Sequence, residues 1–267
     1  MFIDTHCHLD ATEFDGAQAE VIRNAQAAGV GRIVVPAVQR ANFETVRQLC
    51  GQYPICVPAY GIHPMYVADA MPDDLAVLRE YLAQHRPVAL GEIGMDFFVK
   101  HYDRARQEYF FTEQLKLARE FELPVLLHVR RAIDVILGLL REHRVCGGIA
   151  HAFNGSRQQA DEFIKLGFKL GFGGAMTYTR ATKLRELAAT LPLESIVLET
   201  DAPDIAPEFM ERGLPNEPQY LPHIAQTLAD LRGMALAEVA AATTENALNV
   251  LPKVKDFTTE TPRHREK

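Results

Sequence analysis

The sequence predicts a (β/α)₈ TIM barrel, and three observations carry that expectation. Short apolar runs alternate with amphipathic stretches of ten or more residues over most of the chain; the runs are continuously apolar, as in a parallel sheet covered on both faces; and there are eight of them. An open doubly wound sheet shares this alternation and is the structural alternative. The strands are expected at 2–6, 32–36, 56–60, 88–92, 125–128, 148–151, 168–171 and 196–201. Helical periodicity separates them near 17–28, 41–50, 73–85, 104–121, 131–143, 156–166 and 180–190, and two more helices are expected near 219–231 and 236–248. Within 104–121, Ala105, Tyr109, Leu117 and Phe121 read as the apolar stripe, with Arg106, Glu113, Lys116 and Glu120 on the wet side. Ser156 has N-cap character and Gly167 C-cap character. The stretch 202–218 contains four prolines and reads as an irregular loop at the mouth of the barrel. Residues 1–251 are expected to form one TIM-barrel domain and 252–267 a charged C-terminal tail.

Composition narrows the function. The 28 Lys and Arg against 35 Asp and Glu give a net charge of -7, which argues against a protein that coats duplex DNA with a broad basic face. An anionic substrate is still compatible, because bound cations reverse the charge of a pocket. No apolar run is long enough for a membrane span, and MFIDTHCHLD does not read as a signal peptide. Four cysteines without a CxxC motif fit small buried hydrophobes in a reducing cytoplasm.

Chemistry concentrates where the strands end. In DTHCH, His6 and His8 are two residues apart on an extended run and project from one face, suited either to a divalent ion or to a hydrogen-bonded histidine pair. Glu92, His128, His151 and Asp201 close four other strands, and barrel closure would aim them at one mouth. Four imidazoles and two carboxylates suit Zn²⁺, Mn²⁺, Mg²⁺ or Co²⁺; without a metal, each buried group would need another partner. Gly91, Gly94, Gly147 and Gly148 do not match a phosphate-binding loop and read as points of tight backbone approach. Phe97, Phe98, Tyr102 and Phe153 can line the mouth and stack on a base, or belong to the core.

The motifs together resemble the TatD family of metal-dependent deoxyribonucleases, of the amidohydrolase-type barrel superfamily. The resemblance runs through DTHCHLD at 4–10, GIHP at 61–64, GEIGMD at 91–96, HVR at 128–130, HAFNG at 151–155, ETDAP at 199–203 and NEP at 216–218. It implies two divalent ions (Mg, Mn or Zn), with His6, His8 and Asp201 on the first, His128 and His151 on the second, and Glu92 between them. It also places His63 and Arg130 in the pocket and implies a substrate of single-stranded DNA or DNA ends, cut by metal-activated water with Asp201 accepting its proton. The same water could attack a carbonyl, so an amide, ester, lactone or small phosphoester hydrolase is the alternative. The chain departs from the family pattern in HAFNG, in Asp204 after DAP, and in the absence of basic residues just before NEP, Arg212 lying four positions ahead of Asn216.

Overall fold

A computed structural model describes residues 1–257 of the protein. Its strands are β1 (Phe2–Asp4), β2 (Val30–Pro36), β3 (Cys56–Tyr60), β4 (Ala89–Asp96), β5 (Val125–Arg130), β6 (Gly148–Ala150), β7 (Phe168–Phe172) and β8 (Ile196–Leu198). They pair in parallel and in chain order, each with the next. Helices α1 (Gln18–Ala27), α2 (Phe43–Gln52), α3 (Pro72–His85), α4 (Arg104–Glu120), α5 (Ile133–Glu142), α6 (Arg157–Lys165) and α7 (Thr182–Thr190) link successive strands, and α8 (Leu221–Arg232) and α9 (Leu236–Val250) follow the last. This is the expected (β/α)₈ barrel, and the first and last strands meet rather than leaving an open sheet. Thr5 N–H and hydroxyl both donate to Leu198 O (3.1 and 3.0 Å), Asp201 N–H donates to His6 O (2.8 Å) and His8 N–H to Ala202 O (2.7 Å).

Strand residues of opposite parity face opposite ways. Ile33, Val35, Leu90, Val125, Leu127, Leu170 and Leu198 join the core shared with the helices. Val34, Val57, Leu126, Ile149 and Val197 form a separate cluster inside the ring, completed by Leu251 and Val254. The chain therefore packs past residue 251: Pro252–Asp256 form a 3-10 helix whose Val254 is buried, and 258–267 of the expected tail lie outside the described residues. Ser156 caps α6 by accepting from Gln159 N, and Gly167 takes the left-handed conformation (φ 86°) just beyond that helix. On α5, Ile136, Leu137 and Leu140 are buried, each contributing about 1.5–3 kcal/mol. Cys7 and Cys56 are buried as expected, whereas Cys146 is exposed, and all four cysteines are unpaired.

Helix α4 corrects part of the expected stripe, since Leu117 and Phe121 do pack against the core. Tyr109 and Ala105 face solvent, and the buried face is Gln107, Phe110, Phe111, Gln114, Leu115 and Ala118. Two glutamines lie on this face because each clamps a backbone segment. Gln107 accepts from Asp96 N (2.9 Å) and donates to Asp96 O (3.0 Å); Gln114 accepts from Ile62 N (2.7 Å) and donates to Ile62 O (3.0 Å). Polar residues whose partners are backbone groups look like a wet face to any reading based on hydropathy.

Two glycines test the backbone geometry. Gly94 in β4 has φ 148°, and a Cβ there would lie 2.0 Å from His128 O, whereas Gly138 on the exposed side of α5 has nothing within 4 Å. Gly94→Ala is expected to destabilise the protein by more than about 2 kcal/mol, and Gly138→Ala to stabilise it by about 0.5–1 kcal/mol. Denaturant unfolding midpoints check both.

Candidate metal centre

The six sequence-expected donors come together at the C-terminal mouth of the barrel, and His63 joins them. Glu92, at 1 % exposure, lies at the centre. Its Oε2 is 3.0 Å from His6 Nε2 and 3.4 Å from His8 Nε2; its Oε1 is 2.8 Å from His151 Nε2, 2.9 Å from His128 Nδ1 and 3.4 Å from His63 Nε2. Asp201 Oδ1 stands 3.7 Å from both His6 Nε2 and His8 Nε2. Three overlapping sets have donor atoms within 4.8 Å of one another: His6, Glu92 and His151; His6, His8 and Asp201; and His63, Glu92 and His128. Arg130 is not part of this cluster: it sits on the rim, its guanidinium 3.8 Å from the centre of the Phe98 ring.

The strands place these groups by parity and by where they stop. Glu92, Gly94 and Asp96 share one side of β4, opposite Ile93 and Met95 in the outer core, and His128 is paired with Gly94. His6, His151 and Asp201 lie just beyond the last ladder residues of β1, β6 and β8, and Asp201 has a left-handed backbone (φ 55°). Strands expected to run through His6, His151 and Asp201 thus end two or three residues early or, for β6, one residue early. There the backbone is released from the ladder and turns side chains into the mouth.

A second tier of polar groups holds the donors. Asp4 accepts from Thr200 Oγ1 (2.5 Å), Thr200 N (3.0 Å) and His6 N (3.3 Å), tying the two strand ends that carry His6 and Asp201. Asp96 faces His128 Nε2 at 3.0 Å and accepts from Phe98 N and Val99 N. Glu199 accepts from Ala152 N (2.5 Å) and lies 3.9 Å from His151 Nδ1. Asn216 donates to Thr200 O (2.8 Å) and Asp204 O (3.0 Å), which pins the proline-rich loop beside Asp201. Carboxylates behind ligating histidines fix ring orientation and basicity. Asp96 and Glu199 were not singled out from sequence, although each shares strand parity with an expected donor, Asp96 with Glu92 and Glu199 with Asp201.

Charge and protonation follow from this crowding. Burial alone would push Glu92 up, but His151, His63 and His6, with the hydrogen bond from His128, hold it well below the usual carboxylate range. Burial and the neighbouring His151 bring His6 down to about 3, and burial brings His63 to about 4. Burial opposes protonation of His8 and His151 as well, yet facing carboxylates outweigh it: Glu92 and Asp201 raise His8 to about 9 and His151 to about 10. Burial raises Glu199 to about 8 and also lifts Asp201. Met65 N–H donates to His63 Nδ1 (3.1 Å), so neutral His63 carries its hydrogen on Nε2, where it points at Glu92.

These residues fit a divalent metal. His6 Nε2 faces His8 Nε2 at 3.3 Å while also facing Glu92, and one proton cannot bridge all of these contacts as a cation can. His6 Nδ1, His151 Nδ1 and Glu199 Oε2 are buried without hydrogen-bond partners. Nitrogen and carboxylate donors together suit Zn²⁺, Mn²⁺ and related ions.

Comparison with known proteins agrees with the motifs. A family model described as TatD related DNase matches residues 3–252. The chain belongs to the TatD family. Over 249 residues it is 42 % identical to the Escherichia coli K12 protein named uncharacterized metal-dependent hydrolase YjjV, covering 92 % of this chain and 95 % of that protein. The crystal structure of the TatD homologue YjjV superposes with a TM-score of 0.91 at 39 % identity, covering 94 % of this chain and 98 % of the other. An Erwinia tasmaniensis protein named 3′-5′ ssDNA/RNA exonuclease TatD is 34 % identical over 91 % of this chain and 97 % of its own length. TatD membership and the donor cluster together make the chain a metal-dependent hydrolase.

The clamp behind this centre has a direct test. Gln114→Leu would strand the buried N–H and C=O of Ile62, next to His63, at an expected cost of about 2–4 kcal/mol. A fall in the unfolding midpoint with an unchanged denaturant slope checks it.

Proposed function

We propose that this TatD protein is a deoxyribonuclease that hydrolyses phosphodiester bonds at DNA ends or in single-stranded DNA. The observation that carries this reading is the Glu92 carboxylate: one oxygen faces His6 and His8, the other faces His128 and His151, as required of a carboxylate shared by two ions. His6, His8 and Asp201 would then hold the first ion, His128 and His151 the second, and Glu92 both, with Mg²⁺, Mn²⁺ or Zn²⁺ as the candidates. Relatives from Erwinia tasmaniensis and Cronobacter sakazakii named 3′-5′ ssDNA/RNA exonuclease favour a nucleic-acid substrate. Four unpaired cysteines suit a cytoplasmic location.

Bound ions would lower the pKa of water and neutralise charge developing on phosphate oxygens. The protein groups divide the remaining work. Asp201, whose Oδ1 stands 3.7 Å from both His6 and His8 at the edge of the cluster, would orient the attacking water and accept its proton. His63, whose Nε2–H points at Glu92, orients that carboxylate from the wall of the pocket. Arg130, on the rim, gives a phosphate a charge-assisted, two-pronged contact.

The test is shortening of 3′-labelled and 5′-labelled single-stranded DNA with Mg²⁺, Mn²⁺ or Zn²⁺, against a chelated control. Asp201→Asn is expected to lower kcat by at least about 100-fold, and Glu92→Gln to lower both metal content and turnover. Arg130→Ala should raise KM for the phosphodiester more than it lowers kcat. A protein that carries two ions yet leaves DNA intact would move the assignment to an amide, ester, lactone or small phosphoester.

A further inference from the structure

We infer that Phe98, Arg130 and Arg131 form a subsite for one nucleotide unit of a single-stranded nucleic acid, with the base against the Phe98 ring and a phosphate on the guanidiniums. This rests on the nuclease reading and names where its substrate is held. All three residues line the cleft that contains His8, His63, Glu92 and Asp201. At about 1500 Å³ the cleft is larger than the roughly 300–1,000 Å³ of a typical small-molecule site, so it has room for more than the reacting phosphate.

The aromatic part is the first observation. Phe98 is 47 % exposed, while Phe153, also on the cleft wall, is 2 % exposed and packs on Phe163. Phe97 stacks on Tyr102 with ring centres 4.9 Å apart, which leaves Phe98 as the ring of this loop without an aromatic partner among the described residues. A half-exposed ring at the edge of a polar cleft is a platform for a base of any identity once a guanidinium leaves its face, because every base has a π-face.

The charges are the second observation. The Arg130 and Arg131 guanidiniums lie 3.8 and 4.6 Å from the Phe98 ring centre, so they are closer to each other than about 10 Å, the Debye length in 0.1 M salt. Consecutive residues of an extended strand point to opposite faces. Both reach one ring because the chain turns at the end of β5, where Arg131 adopts a left-handed backbone (φ 57°), a strained state for a residue with a side chain. Arg40, Arg47, Arg79, Arg104, Arg141 and Arg157 elsewhere on the surface each pair with a carboxylate while Arg23, Arg119 and Arg144 do not among the described residues, so what distinguishes Arg130 and Arg131 is that both converge on one ring. Among the described residues neither Arg130 nor Arg131 has such a partner. Two uncompensated cations gathered by a strained turn, in a chain of net charge -7, are complementary to an anion.

The two parts work as one unit. A base stacks on an aromatic ring more strongly than an exposed guanidinium does, and a guanidinium released from the ring gains charge-assisted hydrogen bonds to phosphate. An incoming nucleotide can therefore take the ring face and hand a guanidinium to its own phosphate.

The test is fluorescence anisotropy of the metal-loaded protein with a labelled oligodeoxythymidylate made cleavage-resistant by phosphorothioate linkages, alongside versions with one abasic position walked along the strand. Phe98→Ala is expected to weaken binding about 5- to 100-fold, and Phe98→Tyr, which keeps the ring, to retain it. In the parent protein one abasic position should reproduce that loss, and in Phe98→Ala the penalty at that position should vanish. Arg131→Ala should reduce the slope of log Kd against log salt by about 0.7, and Arg131→Lys should keep the slope. A Phe98→Ala protein that binds as the parent does, or keeps the abasic penalty, overturns the subsite while leaving the nuclease reading in place. A parent protein that neither binds nor shortens single-stranded DNA overturns both.

Discussion

The structure depends on one buried carboxylate. Glu92 is 1 % exposed and is faced by five of the ten histidines in the chain, so a single negative charge organises imidazoles contributed by β5 and by the segments that follow β1, β3 and β6. An isolated carboxylate at that depth would give up its charge; this one keeps it because its neighbours present donors from every side. The arrangement is expensive to maintain and is tolerated only where surrounding elements over-determine it. That is why so much buried polar structure lies one layer out: Asp4 with Thr200, Asp96 behind His128, Glu199 behind His151, and the two glutamines of α4.

Much of this was legible in the sequence, for physical reasons. Parallel strands covered on both faces are apolar without interruption, so the eight runs and their order were visible, and polar residues ending those runs stood out against them. His6, His8, Glu92, His128, His151 and Asp201 are conspicuous because each interrupts or terminates a hydrophobic run. Their convergence follows from ring closure alone.

The buried face of α4 was misplaced because Gln107 and Gln114 are polar in composition but are matched to backbone groups of Asp96 and Ile62, a pairing between distant segments that no local period encodes. β1, β6 and β8 end before His6, His151 and Asp201, and β4 and β5 run on past Glu92 and His128, because a ladder stops where hydrogen bonding stops, not where apolar character does. Asp96 and Glu199 stand inside GEIGMD and ETDAP without an expected role of their own, although strand parity puts them on the same side as Glu92 and Asp201. The contact of two successive arginines with one phenylalanine depends on a left-handed turn at Arg131, and a residue other than glycine or asparagine gives little warning of that conformation.

The seam between β1 and β8 carries a consequence for how the molecule comes into being. His6 belongs to the start of the chain and Asp201 to the last strand, and Asp4 with Thr200 stitches the two together. Nearly two hundred intervening residues must be made and the ring closed before these donors stand beside each other. Contacts so far apart in sequence form late, since the entropy of closing the long loop has to be met first. A ribosome-bound chain that has emerged only through β7 has the histidines of the cluster but no Asp201, so the complete donor set cannot form before β8 has joined the ring.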